Sequence, residues 1–170
     1  MAVLCGCHGP TPRDVRLPNF AQVEHGLYRG GEPNAAGLGV LRTLGVRWII
    51  DLRATPSTQQ AEQCRLLGLA YYNVPMAGTG WPETGSVLSF LSIYGSARVR
   101  GVAVYVHCSY GSDRTGVCVA AHRVVDEQWI PAYALKEARE YNLSPLLPKY
   151  QEFILGLPGS LGNRPLSPAR

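Results

Sequence analysis

Apolar residues along this chain fall in two rhythms, strand-sized continuous runs and helical spacings, and Gly, Pro and Ser punctuate the changes from one to the other. Val46 to Leu52 predicts a buried strand, preceded by a helix from Ala35 to Leu44 that stops at Gly45. Ser57 with Gln60 three residues on is a capping-box pattern, and the helix it opens runs to Leu67 and ends at Gly68. A short strand over Ala70 to Val74 follows. Met76 to Gly85 reads as a loop, because Gly78, Gly80, Pro82 and Gly85 crowd into it. Val87, Leu88, Leu91 and Tyr94 return to helical spacing. Val102 to Val106 is a second buried strand, and Val117 to Val125 has the apolar density of a buried helix. Pro131 opens a helix with Ala134, Leu135, Ala138 and Tyr141 on one side, and Lys149 to Leu155 forms a last short one. Strands interleaved with helices predict an α/β fold, a mostly parallel central sheet flanked by helices.

The length of 170 residues fits one domain with a real core. We expect a flexible extension over 1–19, the domain over 20–157 and a flexible Pro- and Gly-rich tail over 158–170. With 46% apolar and 16% charged residues the composition is globular. The net charge of +4 is spread along the chain, so there is no basic block of the kind that tracks nucleic acid, and a small attraction for anionic substrates is expected instead. No apolar run approaches the ~20 residues of a membrane span. Five cysteines, Cys5, Cys7, Cys64, Cys108 and Cys118, make an odd set without repeated CxxC or Cys/His ligand spacing, which argues for reduced thiols and against both a disulfide framework and a metal site. A cytoplasmic monomer is expected. The alternative is export, since Val3 to Cys7 is faintly similar to a lipoprotein cleavage site but lacks a basic leader and a full apolar core.

The chemistry is concentrated in Val106-His107-Cys108-Ser109-Tyr110-Gly111-Ser112-Asp113-Arg114-Thr115-Gly116, at the carboxyl end of a predicted strand and the start of a helix. Such a turn can aim successive backbone N–H groups, from Ser109 to Arg114, at a tetrahedral dianion, with the helix dipole behind them. Cys108 lies at its base, where inward amides and a neighbouring guanidinium favour the thiolate. Arg114 offers a planar fork for two phosphoryl oxygens. Gly111 allows the tight turn, and the Thr115 hydroxyl can bond the sulfur as it leaves. His107, buried before the nucleophile, is either a satisfied core histidine that fixes the loop or an electrostatic aid to the thiolate. Asp113 should point away from the anion and brace the loop. Cys64 and Cys118 read as ordinary core cysteines. Cys7 and Arg13 share the same spacing, but Pro10 and Pro12 lack amide hydrogens, so we read that match as coincidence.

His-Cys-x5-Arg-Thr-Gly resembles the active-site signature of the protein tyrosine phosphatase superfamily. Leu27-Tyr28-Arg29-Gly30-Gly31-Glu32-Pro33 and Ile50-Asp51-Leu52-Arg53 are similar to early strand motifs of its small bacterial and atypical dual-specificity branch. The resemblance, over roughly Leu27 to Leu155, implies that fold and a reaction without cofactor or metal. Cysteine attacks phosphorus, a phosphocysteine forms, and water releases it. It also implies a general acid on a movable loop. Gly80-Trp81-Pro82-Glu83-Thr84-Gly85 resembles the Trp-Pro-Asp loop of tyrosine phosphatases with Glu for Asp, so Glu83 is the candidate and Gly80 and Gly85 the candidate hinges. Asp51 is its rival, with a structural hydrogen-bonding role favoured at the end of a strand.

The resemblance implies a phosphorylated protein or a small phosphate as substrate: phosphotyrosine, with phosphoserine or phosphothreonine besides. Inositol phosphates and pyrophosphates stay open, although the loop carries no lysine and adds Asp113. A rhodanese-like sulfurtransferase and a non-catalytic phosphate-binding module are the other readings. Phosphate release, sulfur transfer and vanadate-sensitive turnover discriminate among them.

Overall fold

The computed structural model describes residues 15–161. Its elements run β1 (Ala21–Glu24), β2 (Leu27–Gly30), α1 (Ala35–Thr43), β3 (Val46–Arg53), α2 (Thr58–Leu66), β4 (Ala70–Met76), α3 (Thr84–Val99), β5 (Ala103–His107), α4 (Asp113–Val125), α5 (Pro131–Glu140), α6 (Pro148–Leu155) and a 3-10 turn, Gly159–Leu161. The strands form one sheet in the order β1-β2-β5-β3-β4. β2, β5, β3 and β4 are parallel, and β1 closes one edge antiparallel to β2.

Both faces of the sheet are covered, which is why its central strands are apolar almost throughout. Along β3, Ile50 and Leu52 join the core shared with α3, α4, α5 and α6, and Ile49 joins the one beneath α1 and α2. β5 divides the same way, with Val104 and Val106 on the α4 side and Tyr105 on the other. α4 is the central helix, buried from Thr115 to Val124.

The α/β architecture matches the pattern of the sequence, with several local corrections. The β1–β2 hairpin has no apolar run to announce it, because β1 is a half-exposed edge strand turned by Gly26 at φ +86°. β4 continues through Pro75 to Met76, since it too lies at an edge, where a missing amide hydrogen costs no ladder bond. The loop expected over Met76 to Gly85 contracts to 77–83, and Gly85 sits in the first turn of α3, so it is not a loop hinge. Ser57 caps α2 by accepting from Gln60 N at 3.1 Å, yet the Gln60 side chain does not reciprocate. It turns inward and accepts from Arg53 Nη2 at 3.0 Å.

The folded unit also runs past both expected limits of 20 and 157. Leu17 is buried, and Leu161 packs in the main core beyond Pro158. The remainder of the two expected tails lies outside the described residues, as do Val3 to Cys7 and the Cys7–Arg13 match. Among the described residues, no helix is long and apolar enough to cross a membrane.

Candidate active site

The period of two along β5 delivers the site. Alternation sends Val104, Val106 and, one step on, Cys108 to the α4 side, where the Cys108 thiol is free and 3% exposed. The chain leaves the sheet over 108–112 and enters α4 at Asp113.

Three carbonyls of this loop are tied to the protein body behind it. His107 Nδ1 lies 3.2 Å from Cys108 O, and because a carbonyl only accepts, Nδ1 carries the hydrogen. Glu32 N donates to Ser109 O at 3.1 Å. Gly111 O accepts from Arg29 Nη2 at 2.8 Å and from Asn19 Nδ2 at 3.1 Å. In a trans peptide the C=O and the following N–H point opposite ways. The amide hydrogens of Ser109, Tyr110 and Ser112 are therefore turned away from the body. α4 adds its first turn, whose N-cap Ser112 makes no side-chain cap bond, so its amides and dipole remain available.

Glycine is required where the loop meets β2. Gly111 has φ +74°, and a Cβ there would stand 2.3 Å from Gly30 C. A Cβ on Gly31 would meet Ser109 O at 3.0 Å. The Gly-Gly step after Arg29 thus lets the loop lie directly on the strand.

The guanidinium of Arg114 is half-buried at the loop's mouth, with Nη2 donating to Ser109 Oγ at 3.2 Å and Nη1 3.5 Å from Met76 O. Asp113 points away from the loop's open side and accepts from Ser144 N at 2.7 Å. Thr115 is buried, its hydroxyl a long 3.5 Å from Gly30 O. Tyr110 stands exposed on the loop's crest. The exposed Glu83 caps no helix amide; both its carboxylate oxygens lie 3.3 Å from Ala77 N. The carbonyl of that same Ala77 accepts from Tyr150 Oη at 2.6 Å. The strand end Met76–Ala77 therefore links Glu83, Tyr150 and Arg114. Burial pushes the Tyr150 phenol up to about 12, against the pull of Arg114.

His107 and Asp51 are register partners on the α1–α2 side, with Nδ1 and Oδ1 4.0 Å apart. Burial lowers His107 from its ordinary 6.5 to about 4, so the ring is neutral at pH 7. A neutral ring bonded to Cys108 O fixes the loop and supplies no full charge to the thiol. Burial alone would raise Asp51, but bonds from Arg53 and from Tyr71 Oη at 2.6 Å bring its carboxyl below the usual range. Arg53 in turn pairs with Glu32 at 2.5 Å. Asp51 is thus built into a brace that reaches the loop through Glu32 N. Burial pushes Cys64 up to about 11 and Cys118 further up, so both stay thiols.

Arg29 is the functional candidate that the sequence reading passed over. It stands inside the quoted Leu27 to Pro33 motif, and a charged side chain between Leu27-Tyr28 and Gly30-Gly31 was the available signal. Among the described residues, the cluster able to hold a metal ion is Glu24, His122 and Glu127, near the other end of α4. Its members already have protein partners: Tyr94 Oη donates to Glu24, His122 Nδ1 lies 2.9 Å from Asp126, and Arg123 donates to Glu127.

Known proteins resemble this chain in sequence and in fold. A family model described as "DSP-PTPase phosphatase fused to NAD+ Kinase" matches residues 12–154. Inositol diphosphatase DSP3 of Arabidopsis thaliana is 32% identical over 133 residues, 73% of this chain and 63% of that protein, so the chain spans less than two thirds of its relative's length. Among solved structures, P. aeruginosa TpbA superposes with a TM-score of 0.71 at 21% identity, over 85% of this chain and 92% of that one. The core catalytic domain of the PP-IP phosphatase SIW14 from S. cerevisiae gives 0.68 at 20% identity, over 82% and 85%. At these identities the two structures show a common fold.

Proposed function

This chain belongs to the DSP-PTPase family of phosphatases, and from that premise we propose that it hydrolyses phosphomonoesters, phosphotyrosine above all and phosphoserine or phosphothreonine besides, through a phosphocysteine at Cys108. One observation carries the reading. A buried free thiol lies at the base of a loop whose carbonyls at 108, 109 and 111 are all tied behind it.

In the proposed reaction the amides of Ser109, Tyr110 and Ser112, with those of the first turn of α4, hold the phosphoryl oxygens, and the Arg114 fork binds two of them. The Cys108 thiolate attacks phosphorus while the bond to the leaving oxygen breaks. Glu83 gives that oxygen its proton as the 77–83 loop closes, with Gly80 at φ +87° as the hinge. Thr115 donates to the sulfur when it leaves. Water then attacks the phosphocysteine, Glu83 takes the water's proton, and the S–P bond breaks to release phosphate.

A second reading, hydrolysis of inositol diphosphates, is favoured by the Arabidopsis relative's assignment. The loop itself speaks for the first. It carries no lysine for a highly charged head group, and Asp113 adds negative charge beside it.

The test is turnover of an aryl phosphate, phosphopeptides and inositol diphosphates by wild type and Cys108→Ser. We expect vanadate-sensitive turnover of aryl phosphate and phosphotyrosine peptide, lost in the variant. Turnover of inositol diphosphates alone selects the second reading, and phosphate release unaffected by the substitution overturns both.

A further inference from the structure

Arg29 is the largest fully buried side chain among the described residues, 1% exposed. Among the described residues only Nη2 is hydrogen-bonded, to Gly111 O, while Nε and Nη1 have no hydrogen-bond partner. The guanidinium lies 4.1 Å from the Tyr141 ring centroid. Burial lowers it to about 10, against the opposing pull of Glu137, Tyr141 and Cys108. Enclosing a cation with two idle donor nitrogens is unfavourable, and an apolar side chain of similar volume would fill the space at lower cost. Folding alone gives no reason for an arginine here.

The reason lies in the peptide that it grips. Gly111, with no Cβ and a positive φ, is the loop residue freest to rotate its peptide plane. If the 111–112 peptide flipped, a carbonyl oxygen would replace the Ser112 amide hydrogen on the open side and repel an anion. Two side chains oppose that flip. Arg29 Nη2 and Asn19 Nδ2 converge on Gly111 O, and Asn19 is itself anchored by donating to Tyr141 O at 3.0 Å.

We propose that Arg29 is a positioning residue for phosphoryl transfer, holding Gly111 O backward so that the Ser112 amide faces the substrate, with its charge standing behind the loop and Asn19 as the second half of the clamp. This rests on the function proposed above and adds a determinant outside the Cys-x5-Arg loop.

The test compares wild type with Arg29→Met, Arg29→Lys and Asn19→Ala for kcat and KM on an aryl phosphate, vanadate affinity and Tm. Arg29→Met should lower kcat about 100-fold, the scale of losing one preorganised donor, and weaken vanadate binding while Tm holds or rises. Arg29→Lys, which keeps charge and one donor, should recover part of the loss, and Asn19→Ala should show a smaller loss in the same sense. Should Arg29→Met fail to fold, the half-buried Asn19 and the lysine variant still decide. Full activity and vanadate affinity in Arg29→Met or in Asn19→Ala overturns the role, as does a loss that follows Tm down without rescue by lysine. A wild type that neither turns over aryl phosphate nor binds vanadate overturns the proposed function itself, a different result from an active wild type with silent variants.

Discussion

The two ends of α4 treat polar groups in opposite ways. At its C-terminal end, Arg123 pairs with Glu137 at 2.7 Å and Glu127 at 2.9 Å, donates to Val23 O and stacks 4.4 Å from the Trp129 ring centroid. His122 beside it lies 2.9 Å from Asp126 through Nδ1, and its Nε2 lies 2.7 Å from Glu24 Oε1. There, His122 Nε2 apart, donors and acceptors are spent on one another. At the N-terminal end Ser112 leaves the helix uncapped, the loop carbonyls are tied behind, and the donors face outward. Polar capacity that the chain does not use itself is what marks a place for a ligand, whereas a closed network of charges marks a brace.

The contrast breaks most visibly at Arg114. Arg114→Lys keeps the charge but loses the bidentate fork, so kcat should fall about 1,000-fold with little change in Tm. Activity near wild type would mean that the fork does not grip the transition state.

Acid tests the buried wall behind the loop. His107 is lowered in the folded state, so the unfolded chain takes up the proton first. Its contribution is whole above pH 6.5 and is lost as pH falls towards about 4. Asp51, held below the carboxylate range, acts in the same sense at lower pH. Stability should drop by about 3 kcal/mol across the His107 window, and His107→Gln should flatten that part of a Tm–pH curve. An equal slope in the variant would remove the histidine from the account.

Glu83→Gln should slow a substrate with a poor leaving group about 100-fold and one with a good leaving group far less. Equal rates on both would leave Glu83 as an exposed loop residue. Smallest for the chemistry is Arg123→Met, which should leave kcat within about twofold while costing about 2 kcal/mol of stability, a figure reduced from that of a sealed pair because its acidic partners keep some exposure to solvent. A matching loss of activity would show that the two ends of the helix are coupled.

The site was legible in the chain where covalent spacing determines it. A strand run ending at His107, the Cys108 to Arg114 interval and a buried helix after it are local features. The parts that escaped are set by distant packing. β1 is half exposed and only four residues long, so its alternation of Ala21 and Val23 with Gln22 and Glu24 was too short to announce the edge hairpin. Gln60 looked like a capping partner until Arg53 offered it a better bond. Gly85 resembled a hinge because glycine suits both loops and first helical turns. Arg29 lies 82 residues from the carbonyl it holds, and no short motif states such a contact.

In the proposed reaction phosphate passes through the sulfur of Cys108. Rapid acid quenching during turnover of an aryl phosphate, followed by peptide mass spectrometry, tests it directly. A phosphoryl adduct on the Cys108 thiol should form and decay with turnover, and turnover without any adduct on that sulfur would rule the phosphocysteine out.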